Sequence, residues 1–319
     1  MSDKSDKSNI LIFGATGAIG SYITQALLDD RAHFGRFAIF TSPQSLQTKT
    51  EVLDKLRRQG VDILVGDLGN ADEVRKAYAG YDTVVSALGR TAIAAQIPLI
   101  HLAAESETVR RFLPSEYGTD IEYGPASKDE KPHQQKLKVR AALAQLRDRL
   151  EYAYIVTGPY PDYPFYLAAA GSEEAAKAGS WDVKARKAVV VGDGEGRVSF
   201  SARVDVGRFV AHALTHWDQA RYRALKLNSF TTTPHEILRE FEFQTGQKWE
   251  VEYTSLDELR RLEAQAWEQG APHATTFTLR RIWAEGGTLY ERRDNEDIGV
   301  VATQSLQELV RDSIHRQSE

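Results

Sequence analysis

Residues 9–20 read NILIFGATGAIG. Four apolar residues in a row, Ile10 to Phe13, suit a strand buried on both faces. Three glycines, Gly14, Gly17 and Gly20, follow at steps of three, and an apolar helical pattern begins just beyond them. A strand running into a glycine turn and then a helix predicts a dinucleotide-binding βα unit. In that reading Gly14 permits the tight turn, Gly17 lets the backbone approach a pyrophosphate, and Gly20 allows close packing of helix on strand. The helix start offers free N–H groups and partial positive charge to the phosphates. Thr16, Ala18 and Ile19 complete the loop and are expected to line the cofactor.

Outward from this stretch, apolar runs recur at 37–41 (FAIFT), 62–65 (DILV), 82–87 (DTVVSA), 111–114 (RFLP) and 152–157 (YAYIVT). Helical spacing fills the gaps, at 21–28, 49–59, 71–78, 97–104 and 134–149. Alternating apolar strands and helices predict an α/β fold, a doubly wound parallel sheet of the Rossmann type, with both faces covered. We expect this domain over residues 1–160, up to the proline-rich GPYPDYP. A smaller α+β substrate-binding portion is expected over 161–319, with some segments returning to the sheet. There, residues 187–191 and 197–201 flank GDGEGR and read as a β-hairpin. Thr233 before Pro234 with Glu236, and Ser255 with Glu258, read as helix starts.

The 319 residues carry 42% hydrophobic residues, enough for a sizeable core. Forty Lys and Arg against 45 Asp and Glu leave a net charge of -5, which argues against nucleic acid or a membrane surface as partner. No apolar run is long enough to span a bilayer. The opening MSDKSDKSN lacks the apolar stretch of a secretory signal, so a cytoplasmic location is expected. The chain has no cysteine, which removes thiol catalysis and thiolate metal sites. The eight histidines are scattered. His212 and His216 are spaced as metal ligands are, but lack an obvious third ligand, so no metal is expected.

The second strand ends at Thr41-Ser42, and no acid occurs from Thr41 until Glu51. An NAD site usually places a carboxylate there for the ribose 2′-hydroxyl. Its absence, with Ser42 as donor and Lys49 as cation, points to NADPH. Ser86, Ala87 and Leu88 follow the fourth strand, where small residues let the chain pass beneath a cofactor. A Tyr-x-x-x-Lys pair would be the usual proton donor in short-chain reductases. Here it occurs only as Tyr222 and Lys226, too late in the chain, and we treat it as chance.

Lys136 is the stronger candidate. Val139, Leu143, Leu146 and Leu150 form a helical stripe, and Lys136 heads it while Lys138 points elsewhere. Partial desolvation and the positive helix end should both lower its pKa. His133 stands one turn earlier and is a second catalytic candidate. Ser115 and Glu116 follow the fifth strand at the carboxyl edge, where ligands bind, and are expected beside the cofactor; Tyr117 follows them on the substrate side.

In order, GATGAIG, GDL at 66–68, RFLPSEYG at 111–118, QQKLKVRAAL at 134–143 and GDGEGRVSF with DVG at 192–207 resemble the isoflavone reductase-like family. That family includes phenylcoumaran benzylic ether and pinoresinol–lariciresinol reductases, within the NmrA-like atypical short-chain dehydrogenases/reductases. The resemblance implies an NADPH-dependent reductase of secondary metabolism, with Lys136 as general acid/base and Lys49 near the 2′-phosphate. Two features depart from it: Ser42 stands where the family commonly has Arg, and PDYPFY at 161–166 is not the family's usual text.

The expected reaction is hydride delivery to an enone-like or quinone-methide-like substrate, with His133, Glu116 and Tyr117 positioning the proton donor and Tyr160, Tyr163, Phe165 and Tyr166 as an aromatic wall. A homodimer is compatible with this reading. Two other readings stay open: an NmrA-like dinucleotide-sensing regulator without turnover, and a non-redox isomerase or cyclase on the same fold.

Overall fold

A computed structural model describes residues 7–162 and 164–319. Its first half builds six parallel strands: β1 (Ile10–Phe13), β2 (Phe37–Thr41), β3 (Val61–Val65), β4 (Thr83–Ser86), β5 (Arg111–Leu113) and β6 (Glu151–Tyr152). Their order across the sheet is β3-β2-β1-β4-β5-β6. The order reverses between β1 and β4, so a crevice opens at the carboxyl ends of those two strands, where nucleotides bind in such sheets.

Alternate residues of each strand feed two separate cores. Ile10, Ile12, Phe37 and Ile39 face one side, and Leu11, Phe13, Ala38 and Phe40 the other. The first core is covered by α1 (Gly20–Asp29) and by the Arg203–Thr215 helix of the second half. Preceded by α2 (Pro43–Thr48), α3 (Thr50–Arg58) also packs there through Leu53 and Leu56. The opposite face takes α4 (Ala71–Tyr78), α5 (Gln96–Glu105) and α6 (Gln134–Gln145). A helix from beyond residue 200 thus completes the sheet's covering, because the apolar face of α1 needs a partner.

The run 152–157 divides. Its start is β6, whereas β7 (Tyr154–Val156) leaves the main sheet and pairs in parallel with β11 (Ala224–Lys226). Between them in the chain come β8 (Ser180–Asp182), β9 (Lys187–Val191) and β10 (Val198–Phe200); β12 (Phe230–Thr232) and β13 (Glu250–Thr254) follow. The expected hairpin around GDGEGR does not form. β9 has β8 on one edge and β13 on the other, while β10 pairs with β12. With both edges of β9 taken, the glycine turn instead carries the chain from one small sheet to another. Gly192 and Gly194 supply its left-handed positions.

The helix starts read from the sequence are present. Thr233 accepts from the Glu236 amide while Glu236 returns to the Thr233 N–H, and Ser255 accepts from the Glu258 amide. His212 lies on the Arg203–Thr215 helix and His216 caps its end, and their Nδ1 atoms contact the Ile298 and His212 carbonyls, respectively. No cluster able to hold a metal occurs among the described residues, and no helix there is long and apolar enough to cross a membrane.

Candidate active site

The glycine turn is dictated by sterics. Gly14 has φ +75°, and a Cβ there would sit 2.5 Å from the Ala87 carbonyl oxygen. A Cβ on Gly20 would lie 2.0 Å from the Gly14 oxygen. Only glycine permits both contacts, and they press the turn against the end of β4. No side chain caps α1 at Ile19, leaving backbone N–H groups at its start for an anion.

Lys49 reaches back to this turn. Its Nζ donates to the Thr16 carbonyl at 3.1 Å and to Thr16 Oγ1 at 3.0 Å. Ser42 caps α2 by accepting from the Ser45 amide, and Thr41 is buried at the end of β2. Ser86 is fully buried, and its Oγ has no partner among the described residues. A glycine cradle, an uncapped helix start, a cation at the loop and an unspent hydroxyl at the switch point together fit a dinucleotide phosphate.

Beyond this turn lies a cavity of about 620 Å³. Its floor comes from the segment after β5, its side from the start of α6, and its roof from the Ala274–Ala284 helix. Ile19, Leu88, Ser115 and Lys136 all line it, so cavity and glycine turn adjoin.

Lys136 is half-buried, and its ammonium donates to the Glu116 backbone carbonyl. Burial pulls its pKa down to about 8; the Arg90 and Arg140 charges push the same way, and Glu116 opposes them. Gly118 borders the amine: a Cβ there would meet Nζ at 3.6 Å, an ordinary contact. The stripe below it is as expected at Val139 and Leu143, both buried, although α6 ends at Gln145 rather than continuing to 149.

Glu116 differs from a substrate-facing acid. Its carboxylate is 1% exposed and accepts from Arg140 Nη2 at 3.0 Å and Nε at 3.2 Å. What it offers the cavity is its carbonyl. Ser115 likewise spends its hydroxyl on the Leu88 carbonyl at 2.9 Å, tying the end of β5 to that of β4. Sequence reasoning missed Arg140, which sits beside Val139 on the inward face; a charge at a buried helical position was the available signal.

His133 is 2% exposed. Its Nδ1 lies 2.9 Å from the Ser127 carbonyl, so that nitrogen carries the proton. Desolvation lowers its pKa and keeps the ring neutral, leaving Nε2 as an acceptor with no partner among the described residues. Tyr117 Oη is also buried and unpartnered. Both residues line the cavity.

Tyr160 donates its hydroxyl to the Tyr117 carbonyl. Phe165 packs edge-on against it at 5.7 Å, is 43% exposed, and also lines the cavity. Tyr163 lies outside the described residues. Tyr222 and Lys226 are not a catalytic pair: Tyr222 Oη donates to the Arg147 carbonyl at 3.4 Å, and Lys226 is bound to Asp120.

The chain matches the NmrA-like family over residues 6–281. It is 28% identical over 262 residues to phenylcoumaran benzylic ether reductase PT1 of Pinus taeda, covering 81% of this chain and 82% of that one. It is also 28% identical to oxidoreductase aprR of Aspergillus flavus over 86% of each. Leucoanthocyanidin reductase of Vitis vinifera, solved in binary complex with NADPH, shares the fold with a TM-score of 0.78 at 21% identity, over 96% of this chain and 99% of that one. The family match takes in the glycine turn, the Lys136 helix and most of the roof helix, and the chain belongs to the NmrA-like family.

Proposed function

We propose that this chain is an NADPH-dependent reductase of a small aromatic or conjugated substrate, with Lys136 managing the proton. The observation that carries the reading is the Lys136 amine, held in the cavity wall beside the glycine turn. The nicotinamide supplies the hydride that an electrophilic carbon of the substrate accepts, and the oxygen conjugated to that carbon then needs one proton.

Lys136 is placed and tuned to give that proton. The Glu116 carbonyl holds one of its three N–H bonds and leaves two for the substrate. With a pKa near 8 it is mostly ammonium at neutral pH, yet it releases its proton far more readily than a lysine in water. The Arg140–Glu116 pair acts through that carbonyl by fixing the segment that carries it.

His133 Nε2 and Tyr117 Oη are positioned to orient the substrate. The first accepts from a substrate hydroxyl; the second, whose ionisation burial suppresses, donates to an oxygen. Apolar lining from Ile93, Ile121, Phe165 and Leu279 excludes water around a flat ring. Lys49 beside Thr16, and no acid until Glu51, favour the 2′-phosphate of NADPH.

Fluorescence titration with NADPH and NADH, followed by NADPH consumption over a panel of enones and quinone methides, tests the reading. Tighter NADPH binding with turnover of at least one panel member is expected. Binding without consumption of any of them would replace the reductase with a dinucleotide-sensing regulator.

A further inference from the structure

The roof helix carries two adjacent arginines in opposite states. Arg281 is saturated: its guanidinium meets Glu130 at 2.7 Å, Glu263 at 2.6 Å and Glu285 at 3.1 Å. Glu130 belongs to the segment leading into α6, so this knot ties the roof to the Lys136 helix. Trp283 makes a second tie, donating to Thr119 Oγ1 at 2.7 Å. Beside these anchors on the same helix stands Arg280. It is 9% exposed, has no carboxylate partner among the described residues, and its Nη1 makes no hydrogen bond. Its guanidinium lies 3.9 Å from the Tyr166 ring centroid and 5.2 Å from that of Trp283.

A buried guanidinium without an anion is expensive, because the ring faces replace only part of its lost hydration. Its surroundings indicate from which side an anion would come. Arg280 lines two cavities. The one beneath the GDGEGR turn also carries Asp193, Glu195 and Asp257 against Arg260 alone, which pairs with Asp257, so its lining stays net negative and disfavours an anion. The Lys136 cavity carries Arg90, Lys131, Lys136 and Arg280, and its one acid, Glu116, has its carboxylate committed to Arg140.

Accepting the reductase reading above, we infer that the substrate is an aromatic acid whose carboxylate pairs with Arg280 while its ring lies against Tyr166 and Trp283. The planar two-pronged donor of arginine matches a carboxylate, and stacking on the aromatics presets its orientation. The conjugated oxygen is then left for Lys136.

Isothermal titration calorimetry of the full chain with benzoate, phenylacetate and 4-hydroxycinnamate, each against its methyl ester, tests this without turnover. At least one acid should bind about tenfold to a hundredfold more tightly than its ester. Arg280→Met should erase that preference while leaving ester affinity in place, and Arg280→Lys should retain part of it. If every acid binds no better than its ester, if no acid binds at all, or if Arg280→Met keeps the preference, the inference fails. Should Arg280→Met not fold, Arg280→Gln takes its place, because Arg90, Lys131 and Lys136 line the same cavity and a wild-type acid preference alone does not assign the cation. NADPH titration in the same preparation separates the two readings: absent NADPH binding with a persistent acid preference would overturn the reductase and leave the anion site.

Discussion

The glycine turn and the cavity beside it are built by opposite means. The turn, from Gly14 to Gly20, uses backbone: contacts of 2.0 and 2.5 Å to a would-be Cβ leave no alternative residue, and seven consecutive positions hold nearly all the information. The cavity uses side chains brought from the end of β5, the start of α6, the segment after β7 and a helix beyond residue 270. A backbone site recognises what all dinucleotides share. A side-chain site is free to vary, because each lining residue can change without disturbing the backbone that carries it.

That contrast breaks most sharply at Lys136. Lys136→Ala should lower turnover by about 10²–10⁴-fold, with the NADPH dissociation constant nearly unchanged, as single-turnover kinetics beside a fluorescence titration would read. Retained turnover would remove the amine from the chemistry. Glu116→Gln leaves Arg140 buried without its main countercharge. Chemical denaturation should show a loss of about 3 kcal/mol, typical of breaking a buried pair. A loss below half that would mean that Glu122, which also pairs with Arg140, suffices.

On the backbone side, Gly20→Ala should weaken NADPH more than about tenfold and destabilise the fold by about 2 kcal/mol, since carbonyl and Cβ cannot share the space. Unaltered NADPH affinity would show that the turn has slack. The pH profile sharpens the other side. Proton donation requires the ammonium form, so kcat/KM for reduction should be flat below pH 8. Above the Lys136 pKa of about 8 it should fall, approaching tenfold per unit. In the oxidation direction the limb inverts, because the free amine is then required. The smallest effect is expected at the loop's edge. Lys49→Met should weaken NADPH by about 1 kcal/mol and leave NADH alone, as befits a half-buried, partly solvated charge–phosphate contact.

Much of this was legible in the chain itself. The strand, glycine and helix succession needs only local sterics, so the Rossmann sheet and the turn follow from residues adjacent in sequence. Lys136 was legible because a helix repeats every 3.6 residues, and one lysine in phase with Val139 and Leu143 must face inward. The GDGEGR hairpin was misread because strand pairing depends on which edges remain open. β13, some 60 residues later, takes the edge of β9 that a hairpin would need. Glu116 is expected beside the cofactor and Arg140 draws no reading, since nothing local shows that they meet 24 residues apart.

The order of residues alone determined the α/β layering, the glycine cradle and the lysine at the head of its helix, because each rests on the allowed geometry of a few neighbouring peptides. Tertiary structure alone decided that a glutamate contributes its carbonyl rather than its carboxylate. It also decided that, of two consecutive arginines, one is spent on three acids and its neighbour on none among the described residues. Such outcomes depend on which distant charges the fold brings to short range, and the energy of a charge is set by its surroundings rather than by its place in the chain.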